Sequence, residues 1–315
     1  MKVLLLRLFV ALMFAVGVFF GNAGAAEQDG KRLFVLVTTF PLYQIARNVA
    51  EGRDGFDLEL LLAANAGCPH EYAPTPGEMA KLAKADALVV NGLGMEEFLD
   101  SALERVGARV DVFDTSEAVN EYLPLEEHED GDEHDHDHDH GEGEYNPHLF
   151  ASPLAEAAIA SGMAEYFARL DPEGAAAYRA NAKRYADDMR ALAAEMAAAI
   201  AAFPNKRIVV PHGAFDYLAR DIGLEIIAHT QSHGEDLSAA QLLALTKIVR
   251  DGNAAAIVVE PQYSPRAGET LAKETGLPVI MLDPVATGPE NAPLDYFAAT
   301  MRNNLDTLAG AFGAR

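Results

Sequence analysis

The sequence predicts an α/β protein of two lobes, each a four-stranded, mostly parallel sheet flanked by helices, joined by one long helix. Three observations carry this. Short β-rich runs alternate with longer helical patterns, the order of parallel βα units. The runs fall into two sets of four. Between the sets, Pro172–Phe203 holds 14 alanines in 32 residues, a composition that strongly favours helix.

The first set of strands reads Leu33–Val37, Phe56–Leu62, Ala87–Val90 and Arg109–Phe113, with helices near Pro41–Ala50, Pro76–Lys84 and Met95–Val106. Thr75-Pro-Gly-Glu78 has the spacing of a capping box with proline at the first helical position. The second set reads Arg207–Val210, Glu225–Ala228, Ala256–Val259 and Val279–Leu282. Its helices lie near Ala214–Asp221, Ala239–Arg250, Pro265–Thr275 and Leu294–Leu308, and Ser238-Ala-Ala-Gln241 is a second capping box. In the middle, Asp171-Pro172 reads as a cap, and Tyr178, Tyr185, Met189, Leu192, Met196, Ile200 and Phe203 hold to one helical face. That stripe is core packing. No internal proline interrupts it, so the lobes are expected to rotate little against one another, with loops reordering instead. The starts of the two halves are also faintly alike: Lys31-Arg-Leu-Phe-Val35 leads to Phe40-Pro-Leu-Tyr43, and Lys206-Arg-Ile-Val-Val210 leads to Phe215-Asp-Tyr217.

The amino terminus reads as an export signal. Lys2 and Arg7 precede an apolar run from Leu8 to Phe20, too short to span a bilayer, and small residues at Ala23–Ala26 give a cleavage signal near Ala25/Ala26. The expected organisation is a signal peptide over 1–26, a first lobe over 27–170, the linking helix over 171–204 and a second lobe over 205–315. No cysteine follows the apolar run, so lipid anchoring is not expected, and the mature chain is expected to be periplasmic.

Charge excludes some partners. Lys and Arg number 24 against 48 Asp and Glu, a net charge of −24, which argues against nucleic acid. Residues 126–144 hold 11 of those acids and five of the ten histidines (His128, His134, His136, His138 and His140), with no Lys or Arg. This acidic His-rich loop is expected to be disordered without metal and to bind divalent cations weakly. The single cysteine, Cys68, excludes an internal disulfide and a Cys-rich zinc site.

Three of the other histidines stand in turns where strands or loops meet helices: His70 in Pro69-His-Glu-Tyr-Ala-Pro-Thr-Pro76, His148 in Asn146-Pro-His148 before Ser152-Pro153, and His212 in Pro211-His-Gly-Ala-Phe215. In open α/β sheets the carboxyl ends of strands are where ligands bind. The separations match no short motif, so a shared site must be assembled by the tertiary fold. Imidazole suits zinc, copper, iron or nickel. Asp283, in Leu282-Asp-Pro284, is a candidate fourth donor, and otherwise a turn residue. His229 and His233 follow a second-lobe strand, and His233 could line a cleft.

The P-H-E-Y-x-P-T-P, N-P-H-x-x-x-S-P and P-H-x-A-F-x-Y-L segments resemble the zinc-uptake solute-binding proteins of metal-importing ABC transporters, the ZnuA/TroA-like cluster. Val258-Val-Glu260-Pro-Gln and Leu282-Asp283-Pro resemble that family's last two strands, and the linking helix and His-rich loop fall in the family's order. The resemblance implies His70, His148 and His212 as zinc ligands, with Asp283 the candidate fourth, and Glu71, Cys68 or water as its alternatives. It implies a monomer that delivers Zn2+ to an inner-membrane permease and catalyses nothing. Manganese-type relatives carry glutamate in the third position, so His212 favours zinc over Mn2+ or Fe2+. Cys68 departs from the aspartate of many relatives. A secreted zinc hydrolase is the alternative of another class, with Glu260 or Glu71 as its base, but no H-E-x-x-H motif supports it. A surface adhesin is disfavoured by the soluble export signal.

Overall fold

The structure is a computed structural model that describes residues 32–67, 69, 72–107, 110–125, 145–230 and 236–313. β1 (Leu33–Val37) lies between β2 (Phe56–Leu60) and β3 (Ala87–Val90), and β4 (Asp111–Asp114) completes a parallel sheet of order β2-β1-β3-β4. β5 (Arg207–Val210), β6 (Glu225–His229), β7 (Ala256–Val259) and β8 (Val279–Met281) form a second parallel sheet of order β6-β5-β7-β8. The two sheets share one topology, which extends the likeness of the two halves from sequence to strand order. β3 and β7, central in their sheets, are buried at every residue and read as unbroken apolar runs because helices cover both faces.

Nine α-helices occur among the described residues. They are α1 (Phe40–Val49), α2 (Pro76–Leu82), α3 (Phe98–Val106), α4 (Pro153–Leu170), α5 (Ala175–Ala201), α6 (Asp216–Ile222), α7 (Ala239–Asp251), α8 (Arg266–Thr275) and α9 (Tyr296–Phe312). Both capping boxes form: Thr75 with Glu78 at α2 and Ser238 with Gln241 at α7. None of the helices is long and apolar enough to cross a membrane.

The structure corrects several expected boundaries. β2 ends at Leu60; Leu61 and Leu62 leave the strand yet stay buried and still donate to the carbonyls of Val37 and Thr38, so their apolarity is a core signal beyond the strand. α3 starts at Phe98 because Gly92–Gly94 turn through positive φ, Leu93 included at 53°. The long helix starts at Ala175 after a 3-10 turn (Pro172–Gly174), so it has 27 residues and a length of about 40 Å. Asp171 does not cap it with its side chain. Its carboxylate instead accepts from Arg53 (2.7 Å) and Tyr178 (2.7 Å).

α4 and α5 pack as a pair beneath both lobes. Tyr178, Tyr185, Met189, Leu192, Met196 and Ile200 are buried on α5, in one core cluster with Val35 and Val37 of β1 and Ile208 and Val210 of β5. Leu33–Arg315 accordingly form one compact unit. Between α4 and α5 lies a fully buried carboxyl, Glu156, which accepts a hydrogen bond from the Tyr185 hydroxyl. Its Oε1 has no hydrogen-bond partner among the described residues. The lobes are also strapped by the chain after β8. Arg47 donates to the Ala292 carbonyl (2.6 Å), Asn48 to that of Leu294 (2.9 Å), and the Gly288 N–H to that of Ala64 (3.0 Å). Gly288 leaves room for Phe40: a Cβ there would lie 2.2 Å from its ring.

Candidate metal site

The carboxyl edge of the second sheet gathers four side chains with chemistry. His212 stands two residues past β5, His229 ends β6, Glu260 follows β7 directly, and Asp283 stands two residues past β8. This is where an open α/β sheet presents ligands. His212 (7% exposed) and Glu260 (1%) are buried, and His212 Nδ1 lies 3.0 Å from Glu260 Oε1. Gln262 donates to the other oxygen of Glu260. The backbone of Asp283 is held on both sides by the Asn304 amide (3.0 and 2.8 Å), and its Oδ1 accepts from the Val285 N–H (2.8 Å). Burial pushes the Asp283 carboxyl above its ordinary value, the Val285 N–H offsets this in part, and the charge of Glu260 raises it further.

His148 comes from between the sheets. The residue is 4% exposed, and its ring meets the ring of His212 edge-on, centroids 5.0 Å apart and planes at 75°. Two imidazoles that aim their nitrogens at one ion 2.0–2.1 Å away, at a tetrahedral angle, have centroids about 5.2 Å apart. The separation of the pair is close to that distance.

The segment Asn146-Pro147-His148 is fastened to both lobes. From the first, Asn91, just past β3, donates Nδ2 to the Pro147 carbonyl (2.8 Å). Asn91 is held by Glu96, which accepts from its N–H (2.8 Å) and from the Thr38 hydroxyl (2.6 Å). Burial pushes Glu96 up to about 7 against the pull of those donors. From the second lobe, Tyr217 donates its hydroxyl to the Asn146 carbonyl (2.8 Å). The Asn146 amide accepts from the His148 N–H (2.9 Å) and donates to the Gly213 carbonyl (2.8 Å). Those two backbone groups have fixed roles, so the amide can face only one way. Its oxygen then also receives His148 Nδ1 at 2.8 Å, and Nδ1 must carry the proton. The lone pair of His148 is therefore on Nε2, the form that binds a metal.

Gly213 is required by this packing. A Cβ there would lie 2.6 Å from Asn146 Nδ2 and 3.1 Å from Asp216 Oδ2. Gly213→Ala is expected to cost about 1–3 kcal/mol by overpacking, measured as a lower urea midpoint with an unchanged slope.

The structure thus brings together His148 and His212 and places Glu260 against His212 and near Asp283. His229 is elsewhere, with Nε2 2.9 Å from Asp216 Oδ1. His70, Glu71, Cys68, His233 and the histidines of the acidic loop lie outside the described residues. Among the described residues no three His, Cys, Asp or Glu side chains stand in metal-holding geometry. Sequence reasoning missed Asn146, Glu260 and Asn304 as supports. Glu260 had one signal, a charge directly continuing an apolar strand.

Two four-stranded parallel α/β lobes on a helical spine place the chain in the fold class of the solute-binding proteins. A family model described as "ZnuA: Zinc-uptake complex component A periplasmic" matches residues 35–311, and the chain belongs to that family. The curated relatives it matches are named as zinc-binding or zinc-uptake proteins. The chain is similar to the zinc-binding lipoprotein AdcA of Streptococcus pneumoniae, 29% identical over 287 residues that cover 90% of this chain and 56% of AdcA. It thus spans little more than half the length of that relative. It is similar over 90% of its length, and 89% of the relative's, to the high-affinity zinc uptake system protein ZnuA of Bacillus subtilis, at 28% identity. Among solved structures it is similar to FpvC of P. aeruginosa in complex with Ni2+, with TM-score 0.74, 27% identity, and coverage of 90% of this chain and 97% of that one.

Proposed function

We propose that this chain is an extracytoplasmic zinc-binding protein that hands Zn2+ to the membrane permease of an ABC importer. The export signal over 1–26 takes it to the periplasm, and the mature protein works as a monomer. The ion is its cargo. His148 and His212 supply two nitrogens, His70 the third, and Asp283 is the candidate fourth donor. The observation that carries this reading is the edge-on pair of buried imidazoles, one with its tautomer fixed for binding through Nε2 and the other backed by a buried carboxylate. Imidazole donors suit zinc better than manganese, which prefers carboxylate oxygen. Competitive titration with Zn2+, Mn2+ and Ni2+, together with metal analysis of protein taken from its native compartment, tests it. Tight binding of Mn2+ or Ni2+ in preference to Zn2+ would overturn the choice of cargo.

The acidic loop is a secondary store. Its ends are fastened before it begins: Pro124 pairs with Tyr145 across an antiparallel bridge, and the Asn146 N–H donates to the Leu123 carbonyl (2.8 Å). Deleting Glu126–Gly143 is therefore expected to lower the number of ions bound per chain and leave the tightest site unchanged. Calorimetry on the deleted protein measures both, and loss of the tight phase would assign the loop a ligand in the main site.

A further inference from the structure

Behind His148 the hydrogen bonds continue past Asn146. The second N–H of the Asn146 amide goes to Asp216 Oδ2 (2.9 Å), and Asp216 Oδ1 stands 2.9 Å from His229 Nε2. A carboxylate only accepts, so His229 presents Nε2–H to it. Donors and acceptors are then assigned from end to end: His229 to Asp216, Asn146 to Asp216, and His148 Nδ1 to Asn146. The chain is shielded, with side-chain exposures of 8% at His229 and 14% at Asp216. Arg220 shares a cavity of about 260 Å3 with both residues, but its guanidinium is committed to Asp221 (2.8 Å) and to the face of Tyr217. The charge of Asp216 therefore acts on the amide nitrogen of Asn146.

We propose that Asp216 and His229 are positioning residues for His148, which hold the Asn146 amide so that the metal-facing nitrogen of His148 stays unprotonated. The argument is electrostatic. A negative charge beside the amide nitrogen polarises the amide and strengthens its oxygen as an acceptor, and bonds in such a chain reinforce one another where water is excluded. The stronger that acceptor, the more the ring prefers its proton on Nδ1. With a weaker acceptor the tautomer with Nε2–H becomes populated, and its proton sits where the ion must bind. Neither residue touches the ion. The inference rests on His148 being a ligand of the proposed site.

The test reads the tautomer of His148 in metal-free protein by 15N–1H correlation of its ring, and the zinc Kd separately. The wild-type ring is expected to be protonated on Nδ1 alone. In Asp216→Leu a fraction with Nε2–H is expected to appear, and the Kd to rise about tenfold, the lower end of the range for outer partners of metal-bound histidine. Asp216→Asn, whose oxygen can still accept from Asn146 but which carries no charge, should restore both only in part. A mere packing role would lower stability without moving the tautomer. Should Asp216→Leu fail to fold, His229→Leu carries the same expectation in smaller measure. A wild-type His148 with its proton on Nε2, or an Asp216→Leu protein with wild-type tautomer and Kd, would overturn the proposal. The tautomer is read without metal, so a failure of the zinc assignment would show only in the wild-type titration.

Discussion

His212→Ala is expected to lose the tight zinc site, with Kd raised more than about a hundredfold, beyond the 10–100-fold that the loss of an outer partner brings. The side chain is buried and meets His148 at 5.0 Å, so among the described residues no neighbouring group can swing in to replace it without breaking the packing. The substitution also strands Glu260, which is 1% exposed and close enough to Asp283 for their charges to interact. His212→Ala should therefore lose stability as well as affinity. Glu260→Gln separates the two effects. It keeps the imidazole and removes the carboxylate behind it, so its Kd should rise by about 10–100-fold while the site still forms. Isothermal titration with a competing chelator measures all three proteins. Tight zinc binding by His212→Ala at neutral pH would remove this residue from the site.

Glu156→Gln is expected to stabilise the protein at neutral and alkaline pH. Burial between α4 and α5 pushes the Glu156 carboxyl well above its ordinary value, and the Tyr185 hydroxyl offsets this only in part. The folded state therefore keeps a proton that the unfolded chain releases above about pH 4.3. Below that pH both states are protonated and the wild type bears no penalty. Above it, while the native carboxyl stays neutral, unfolding becomes easier by about 1.4 kcal/mol per pH unit from this group alone. Glutamine has nearly the same shape and no charge to suppress, so the variant lacks that slope. Urea midpoints from pH 5 to pH 8 should show the two proteins diverging as pH rises. Parallel curves would mean that Glu156 is ionised in the folded protein.

The strands were the most legible part of the chain because an apolar run with charged or turn residues at both ends leaves little choice of limits. β1, β3, β5 and β7 have the limits their sequences predict. Errors arose where apolarity and strand geometry part company, as at Leu61 and Leu62, or where a distant partner redirects a local signal. Asp171 has a cap sequence, but Arg53 lies 118 residues away and claims its carboxylate. The same logic divides the site. His148 and His212 were visible because each sits in a proline-marked turn beside a helix start. Asn146 was not, since its partners Gly213 and Asp216 are 67 and 70 residues on and nothing local announces them. Positions are written locally; what fixes a proton on one nitrogen is written across the whole chain.

The fastening of Asn146-Pro147-His148 to both lobes sets the work needed to part the lobes there. Separating the lobes at this point means giving up the Asn91 and Leu123 bonds on one side, or the Gly213, Asp216 and Tyr217 bonds on the other. The first route breaks two bonds and the second three. At about 0.5–1.5 kcal/mol net for each bond, the first route is easier by that amount. The lobes would therefore part along the seam at Asn91 and Leu123.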